Sequence, residues 1–258
     1  MIYVGLAGWG DHNELYEHMP SRKSKLSVYS EHFPCVEVDS SFYAILSPDT
    51  YGKWVRETSD DFAFIIKPYQ AMTGHLRSEP QAQADPDLFA AFRRSIAPVL
   101  DSGKMKAVLF QYPPWFDCTR EHVDTLRKAK RLMGKIPVAL EFRHQSWFTE
   151  EMRPRTLAFM EKEGWIHSIC DEPQAGAGSV PIVLHPTHAE TTIVRMHGRN
   201  VNGWNPSKTA NWREGRYLYR YNEQELLEWR SRLLTLEQAT GDIYVIFNNN
   251  SGGDAASN

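Results

Sequence analysis

Val138 to Trp147 read VALEFRHQSW. Pro137 precedes this run and a polar break follows Phe142, so Val138 to Phe142 has the form of a buried strand. Side chains alternate across a strand, which puts Ala139, Glu141 and Arg143 on one face and Val138, Leu140 and Phe142 on the other. A carboxylate and a guanidinium therefore stand together at the carboxyl end of an apolar strand. Neither group is commonly buried without a partner.

Outward from this segment the same form recurs. Ile2–Gly8, Cys35–Asp39, Phe62–Lys67, Met105–Gln111, Trp165–Asp171, Thr191–His197 and Asp242–Asn248 all read as strands. Between them the sequence predicts an amphipathic segment from Ser24 to His32 and helices over Pro48–Thr58, Pro86–Leu100, Arg120–Met133 and Glu150–Glu163. A further helix runs from Glu223 to about Ala239, with Asn222 and Glu225 spaced as a capping box. Pro68–Asp85 is a long loop, and Glu172–Glu190 has no helical period, so the sixth helix should be missing or reduced. Eight strands at a spacing near 30 residues predict an α/β protein: a single parallel (β/α)8 TIM-type barrel over residues 1–258. Connections from helix to strand are short and several from strand to helix are long, which places function on the rim at the carboxyl ends.

Composition narrows the classes. A net charge of -3 argues against a protein held mainly by nucleic-acid phosphates. Three cysteines, an odd number with no zinc-type spacing, argue against a disulfide scaffold and fit small buried hydrophobes. The first residues enter a strand without a signal-peptide pattern, and no apolar run reaches membrane-spanning length. The expectation is a cytoplasmic protein without a membrane partner. Oligomeric state is not legible.

Polar residues gather at one end of the strands: Glu37 and Asp39, Lys67, Gln111, Glu141 and Arg143, Asp171, Arg195 and His197, and Asn248. Lys67 shares its face with Ala63 and Ile65, Gln111 with Ala107 and Leu109, Arg195 and His197 with Ile193, and Asn248 with Tyr244 and Ile246. An apolar lower face ending in a polar residue is what an inward-facing barrel strand needs. The alternative is a set of structural ion pairs such as Glu141–Arg143 or Glu37–Lys67. His167, mid-strand, reads as a satisfied core histidine. Trp9, Tyr43, Trp115 and Trp147 follow strand ends, where packing and ligand stacking are both open.

At the level of motifs the sequence resembles the domain-of-unknown-function 72 (YecE-like) family, and within it the YunF-like members. The likeness rests on LAGWG at Leu6–Gly10, VEVDSSFYA at Val36–Ala44, FIIKPYQAMTGH at Phe64–His75, LFQYPPWF at Leu109–Phe116, ALEFRHQSW at Ala139–Trp147, CDEP at Cys170–Pro173, VRMHGR at Val194–Arg199 and FNNNSGGDAA at Phe247–Ala256. It implies a β/α barrel and no established activity. Similar chains continue past the Asn-rich segment into a final helix, whereas this sequence stops at Asn258, so the last helix is expected to be absent from this chain.

Four chemistries fit these residues. The first is anion binding, of a small polar ligand bearing phosphate or carboxylate. Its donors are His197-Gly198-Arg199 and Ser251-Gly252-Gly253 after strands seven and eight, with Lys67, Arg143 and Arg195 adding charge; Asn248, Asn249 and His75 are further ligand-binding candidates. The second is acid–base catalysis of a hydrolase, isomerase or lyase type, with Glu37, Glu141 and Asp171 as carboxylates, Glu141 as favoured base, and His197 or Lys67 as acid. The third is a divalent metal, such as Mg²⁺, Mn²⁺ or Zn²⁺, on Glu37, Glu141, Asp171 and His197, as in barrel phosphodiesterases; it is not favoured, because arginine and lysine compete for the carboxylates. The fourth is a non-catalytic binding protein. There the rim (Trp9, Tyr43, Arg77, Trp115, Trp147, Arg199, Trp204, Lys208, Trp212, Arg213, Arg216) stacks the bases of single-stranded nucleic acid.

Overall fold

In the computed structural model, which describes residues 1–204, 215, 217–250 and 253–258, eight strands close into a barrel in chain order, every neighbouring pair parallel. They are β1 (Ile2–Ala7), β2 (Cys35–Val38), β3 (Ala63–Ile66), β4 (Met105–Gln111), β5 (Val138–Glu141), β6 (Ile166–Asp171), β7 (Thr191–Met196) and β8 (Asp242–Phe247). The helices between them are α1 (Lys25–Tyr29), α2 (Pro48–Glu57), α3 (Pro86–Asp101), α4 (Arg120–Met133), α5 (Met152–Glu163) and α6 (Glu223–Leu236). No described helix is long and apolar enough to cross a membrane. The described cysteines are free; Cys35 and Cys170 are buried and Cys118 half-buried.

Local chemistry sets the helix ends. Ser47, Asp85 and Thr119 each accept a backbone N–H from the first turn of α2, α3 and α4, and Pro48 and Pro86 occupy first-turn positions where no N–H is needed. Asn222 and Glu225 close the capping box at the start of α6. Three boundaries fall inside the expected ones: α2 ends at Glu57, α5 starts at Met152 and α6 ends at Leu236. The long loop after β3 contains two 3₁₀ turns, Gln70–Thr73 and Pro80–Ala84.

Alternation within the strands sorts the core into two compartments. Ala63, Ile65, Ala107, Leu109, Ile193, Tyr244 and Ile246 form one apolar cluster inside the barrel. Val36, Val38, Phe64, Val108, Phe110 and Leu140 belong to a second, larger cluster under the helices. The inner set is the one that parity predicts beneath Lys67, Gln111, Arg195 and Asn248. β1 approaches β2 closely here. A Cβ on Gly5 would lie 2.2 Å from the Cys35 carbonyl oxygen, so only glycine fits.

Residues 172–190 contain no helix, as their lack of a helical period implied. The segment is held by side chains instead. Glu172 Oε1 accepts the Val180 N–H (2.6 Å), and the Thr187 hydroxyl donates to the Trp165 carbonyl (2.6 Å) while accepting the His167 N–H (2.9 Å). His167 is buried with Nδ1 on the His185 carbonyl (2.9 Å), a satisfied core histidine. After β8, residues 253–258 form turns, and an apolar groove of about 420 Å³ runs along β1, β8 and α6, with Val4, Leu233 and Phe247 in its walls.

Gly5→Ala tests the barrel geometry directly. The added methyl meets backbone rather than a mobile side chain, so the expected loss is at or above the ~1–3 kcal/mol usual for overpacking. A lowered urea midpoint with unchanged m-value is the readout.

Candidate functional site

Arg195 on β7 is wholly buried at the barrel axis. Its Nε donates to Glu37 Oε2 (2.8 Å) and its Nη2 to Glu37 Oε1 (2.5 Å). Its Nη1 donates to both oxygens of Glu141, at 3.0 and 2.8 Å. One guanidinium thus joins β2, β5 and β7 by charge-assisted bonds. Glu141 gathers further donors: Gln111 Nε2 (2.6 Å), the Ser168 hydroxyl (3.2 Å) and His197 Nε2 (3.3 Å). The Asn248 amide donates to His197 Nδ1 (3.0 Å), which assigns the proton to Nε2, facing Glu141.

Above this layer lies Arg143. Its Nε faces Glu172 Oε2 at 3.2 Å, its Nη1 lies 3.5 Å from Glu141 Oε1, and its guanidinium covers the Trp204 ring at 4.6 Å. Nη2 is buried without a hydrogen-bond partner. Lys67 reaches Asp39 (3.3 Å) and sits over the Phe42 ring (4.8 Å), whose edge meets His75.

The cluster divides its protons unevenly. Burial raises the Glu37 carboxyl, and Asp39 adds to this against the opposing pull of Arg195, leaving it at about 7. Burial acts on Glu141 in the same sense, but Arg195, His197 and Arg143 outweigh it and hold it well below the ordinary carboxylate range. Burial, with Arg195 adding to it, lowers His197 to about 3, so the imidazole is neutral near pH 7. Burial also lowers His75 to about 4, with Lys67 and Arg143 adding to it. For Lys67, burial pulls downward but Asp39 prevails and the ammonium is raised.

A sequence profile described as "Protein of unknown function DUF72" matches residues 3–258. The chain belongs to the DUF72 family. It is 55% identical over 259 residues to the UPF0759 protein YunF of Bacillus subtilis (strain 168), covering 100% of this chain and 92% of that protein. The UPF0759 protein YecE of Escherichia coli O157:H7 is 27% identical over 189 residues, 73% of this chain and 61% of that one. A DUF72 family protein of Enterococcus faecalis V583 superposes with a TM-score of 0.92 at 34% identity, over 100% and 92% of the two chains. A DUF72 family protein of Thermotoga maritima MSB8 does so at 0.82 with 28% identity, over 100% and 95%.

In this DUF72 chain the barrel brings together Glu37, Asp39, Lys67, Gln111, Glu141, Arg143, Arg195, His197 and Asn248, with His75 beside them. Four expected site residues lie elsewhere. Asp171 shares the outward face of β6 with Ile169 and accepts from Trp229 Nε1 of α6 (2.6 Å) and Arg199 Nε (3.0 Å). Arg199 is correspondingly held between Asp171 and Glu225 under the helix layer. Trp147 is buried flat against Phe142 (4.0 Å) and donates to the Phe116 carbonyl (2.8 Å), so packing decides its place. Asn249 is wholly buried, its amide on the Tyr219 carbonyl (2.7 Å) and Asn258. Ser251 and Gly252, with Lys208, Trp212, Arg213 and Arg216, lie outside the described residues. Trp9 is half-buried edge-on to Trp54, while Tyr43 (70% exposed) and Trp115 (45%) stand on the surface, Arg77 stacked on the latter at 4.0 Å.

Parity in β6 points instead to Ser168, Cys170 and Glu172 as the inward residues, a signal present in the sequence but not applied to that strand. Trp204, expected on the nucleic-acid-stacking rim, instead lies against the Arg143 guanidinium. The metal set also changes. Among the described residues, Glu141, Cys170 and His197 place donor atoms within 4.8 Å of one another, whereas Asp171 faces away. Their oxygen, sulfur and nitrogen donors suit a soft divalent ion, but Arg195 Nη1, 3.4 Å from His197 Nε2, opposes a cation there, and burial keeps the Cys170 thiol protonated.

Removing the guanidinium while keeping its bulk, as Arg195→Met, strips Glu37 of its hydrogen-bond donor and Glu141 of one of its two arginines, and is expected to cost about 3–5 kcal/mol by urea denaturation. The proton on Glu37 has its own signature. Its folded pKa, about 7, lies above the ordinary 4.5, so the folded state binds more protons between these values. The Glu37 contribution to stability therefore falls as pH rises from 4.5 to 7. Relative to wild type, Glu37→Gln should gain stability across that window and hold a constant difference above it.

Proposed function

We propose that this protein is an enzyme performing acid–base chemistry, of the hydrolase, isomerase or lyase kind, on a small polar anionic substrate bound above the Arg195 layer. The observation that carries this reading is the unequal treatment of two carboxylates by one guanidinium. Glu141 receives five donor groups and stays ionised; Glu37 receives Arg195 alone among the described residues and is raised to about 7. Paired groups whose pKa values are driven apart supply an acid and an anchor in one site.

The roles differ from those favoured by the sequence. Glu141, held so far down, is a weak base, and its work is to fix Arg195 and the His197 tautomer. His197, uncharged, is a positioning group. Lys67, kept protonated by Asp39, draws in an anion, as Arg143 does. Proton exchange falls to Glu37, which lies below Asp39 on the inward face of β2 and beside Lys67. No metal is required by this arrangement, and the reaction subclass is open to assay.

The test is a turnover screen against small phosphorylated and carboxylated metabolites, followed by NMR. On a substrate so found, Glu37→Gln should lower kcat by roughly 10²–10⁴-fold with KM little changed. Full turnover by that variant would remove the assignment. A second reading, binding of single-stranded nucleic acid, is favoured by exposed Tyr43 and by Trp115 with Arg77 on its face. Gel shifts with short DNA and RNA that weaken steeply with salt would support it, and their absence leaves the small-molecule pocket.

A further inference from the structure

We infer that the ligand carries a single negative charge on a carboxylate, and that the terminal Nη2 of Arg143 is the group that receives it. This rests on the anionic-substrate reading above and narrows its substrate class.

Arg143 is 3% exposed, and three of its contacts fix its plane: Glu172 at Nε, Glu141 at Nη1, and the Trp204 face beneath. Nη2 is left over, a charged donor out of water and without an acceptor. Buried polar groups are almost always paired, so an unpaired one just past the carboxyl end of β5 calls for an oxygen from a ligand. Lys67 and Arg143 both lower His75, so the ammonium adds a second positive charge to this end of the barrel, with Asp39 at 3.3 Å.

Charge balance limits what else the ligand brings. Among the described residues, Lys67, Arg143 and Arg195 face four carboxylates: Glu37, Asp39, Glu141 and Glu172. The three cations are already matched by nearby carboxylates, so a second negative charge on the ligand would meet no further cation among the described residues. Phosphate seats in barrels use the loops after strands seven and eight. Here the Gly198 N–H donates to the Tyr221 hydroxyl (2.9 Å), and Arg199 is held by Asp171 and Glu225 on the outer side of the wall. A monoanion accepting from one guanidinium edge fits what the described residues leave open.

The experiment uses the whole chain and ¹³C-acetate as probe, read by NMR line broadening near pH 7. Expected is saturable broadening that equimolar sulfate, a dianion at this pH, does not relieve. Arg143→Lys should weaken binding roughly 10-fold by losing the fixed terminal donor. Arg143→Met with Glu172→Gln, which leaves no unpaired buried carboxylate behind, should abolish saturation while near-UV circular dichroism stays native. Absence of saturable acetate broadening in the wild type overturns the inference, as does displacement of acetate by sulfate. Wild-type acetate binding by the natively folded double variant would overturn it too. The first two outcomes need no variant to fold. Turnover that depends on Glu37 without acetate binding would sink only this inference; acetate binding without such turnover would sink only the proton chemistry.

Discussion

A guanidinium sealed at the axis of a closed barrel has to be neutralised where it stands. Arg195 has no water to share its charge, and transfer of an ion into such an interior is costly unless its partners are close and well aimed. Glu37 and Glu141 provide this from β2 and β5, strands far apart in the chain, and the three together cap the apolar filling of the barrel. Several polar groups above the cap take their orientation from that clamp. Gln111, Ser168 and His197 aim at Glu141, and Asn248 aims at His197.

The second layer follows from the first. Because Glu141 also attracts Arg143, the guanidinium of Arg143 is drawn inward, and Glu172 fixes its other side. Glu172 can do this because no helix follows β6. The segment that replaces the helix folds across the mouth, where the Ala177 carbonyl accepts the Gln145 N–H (2.9 Å) and the Gly178 carbonyl accepts from Trp204 Nε1 (3.4 Å). Loops after β5, β6 and β7 are thereby tied together over the charged cluster. A fold irregularity thus becomes a wall of the site, in keeping with the usual division of a barrel into a stabilising body and a functional rim.

Much of this was legible in the chain. β4 and α4 match their expected bounds residue for residue, because a charged or Gly boundary coincides with the end of a clear period in each. The inward set was legible for β3, β4, β7 and β8, since a period of two leaves no freedom once one buried face is known. Asp171 shows the limit of reading only the last charged residue of a strand. It ends the apolar run of β6 as Glu141 ends that of β5, yet its parity is opposite, and the indole of Trp229 claims it. Trp147 shows another limit: an aromatic after a strand end goes wherever apolar contact is greatest, which here is between Phe142 and the Phe116 backbone.

The sequence by itself determined the number and order of strands, the helix caps, the missing sixth helix and most of the residues that meet at the barrel mouth. Those properties depend on periods, turns and caps within a few residues, where the physics is local. Only the tertiary structure decided which carboxylate keeps a proton, which arginine is saturated and which is left with an open donor. Those outcomes depend on desolvation and on how many donors converge from separate strands, and both exist only once the barrel has closed.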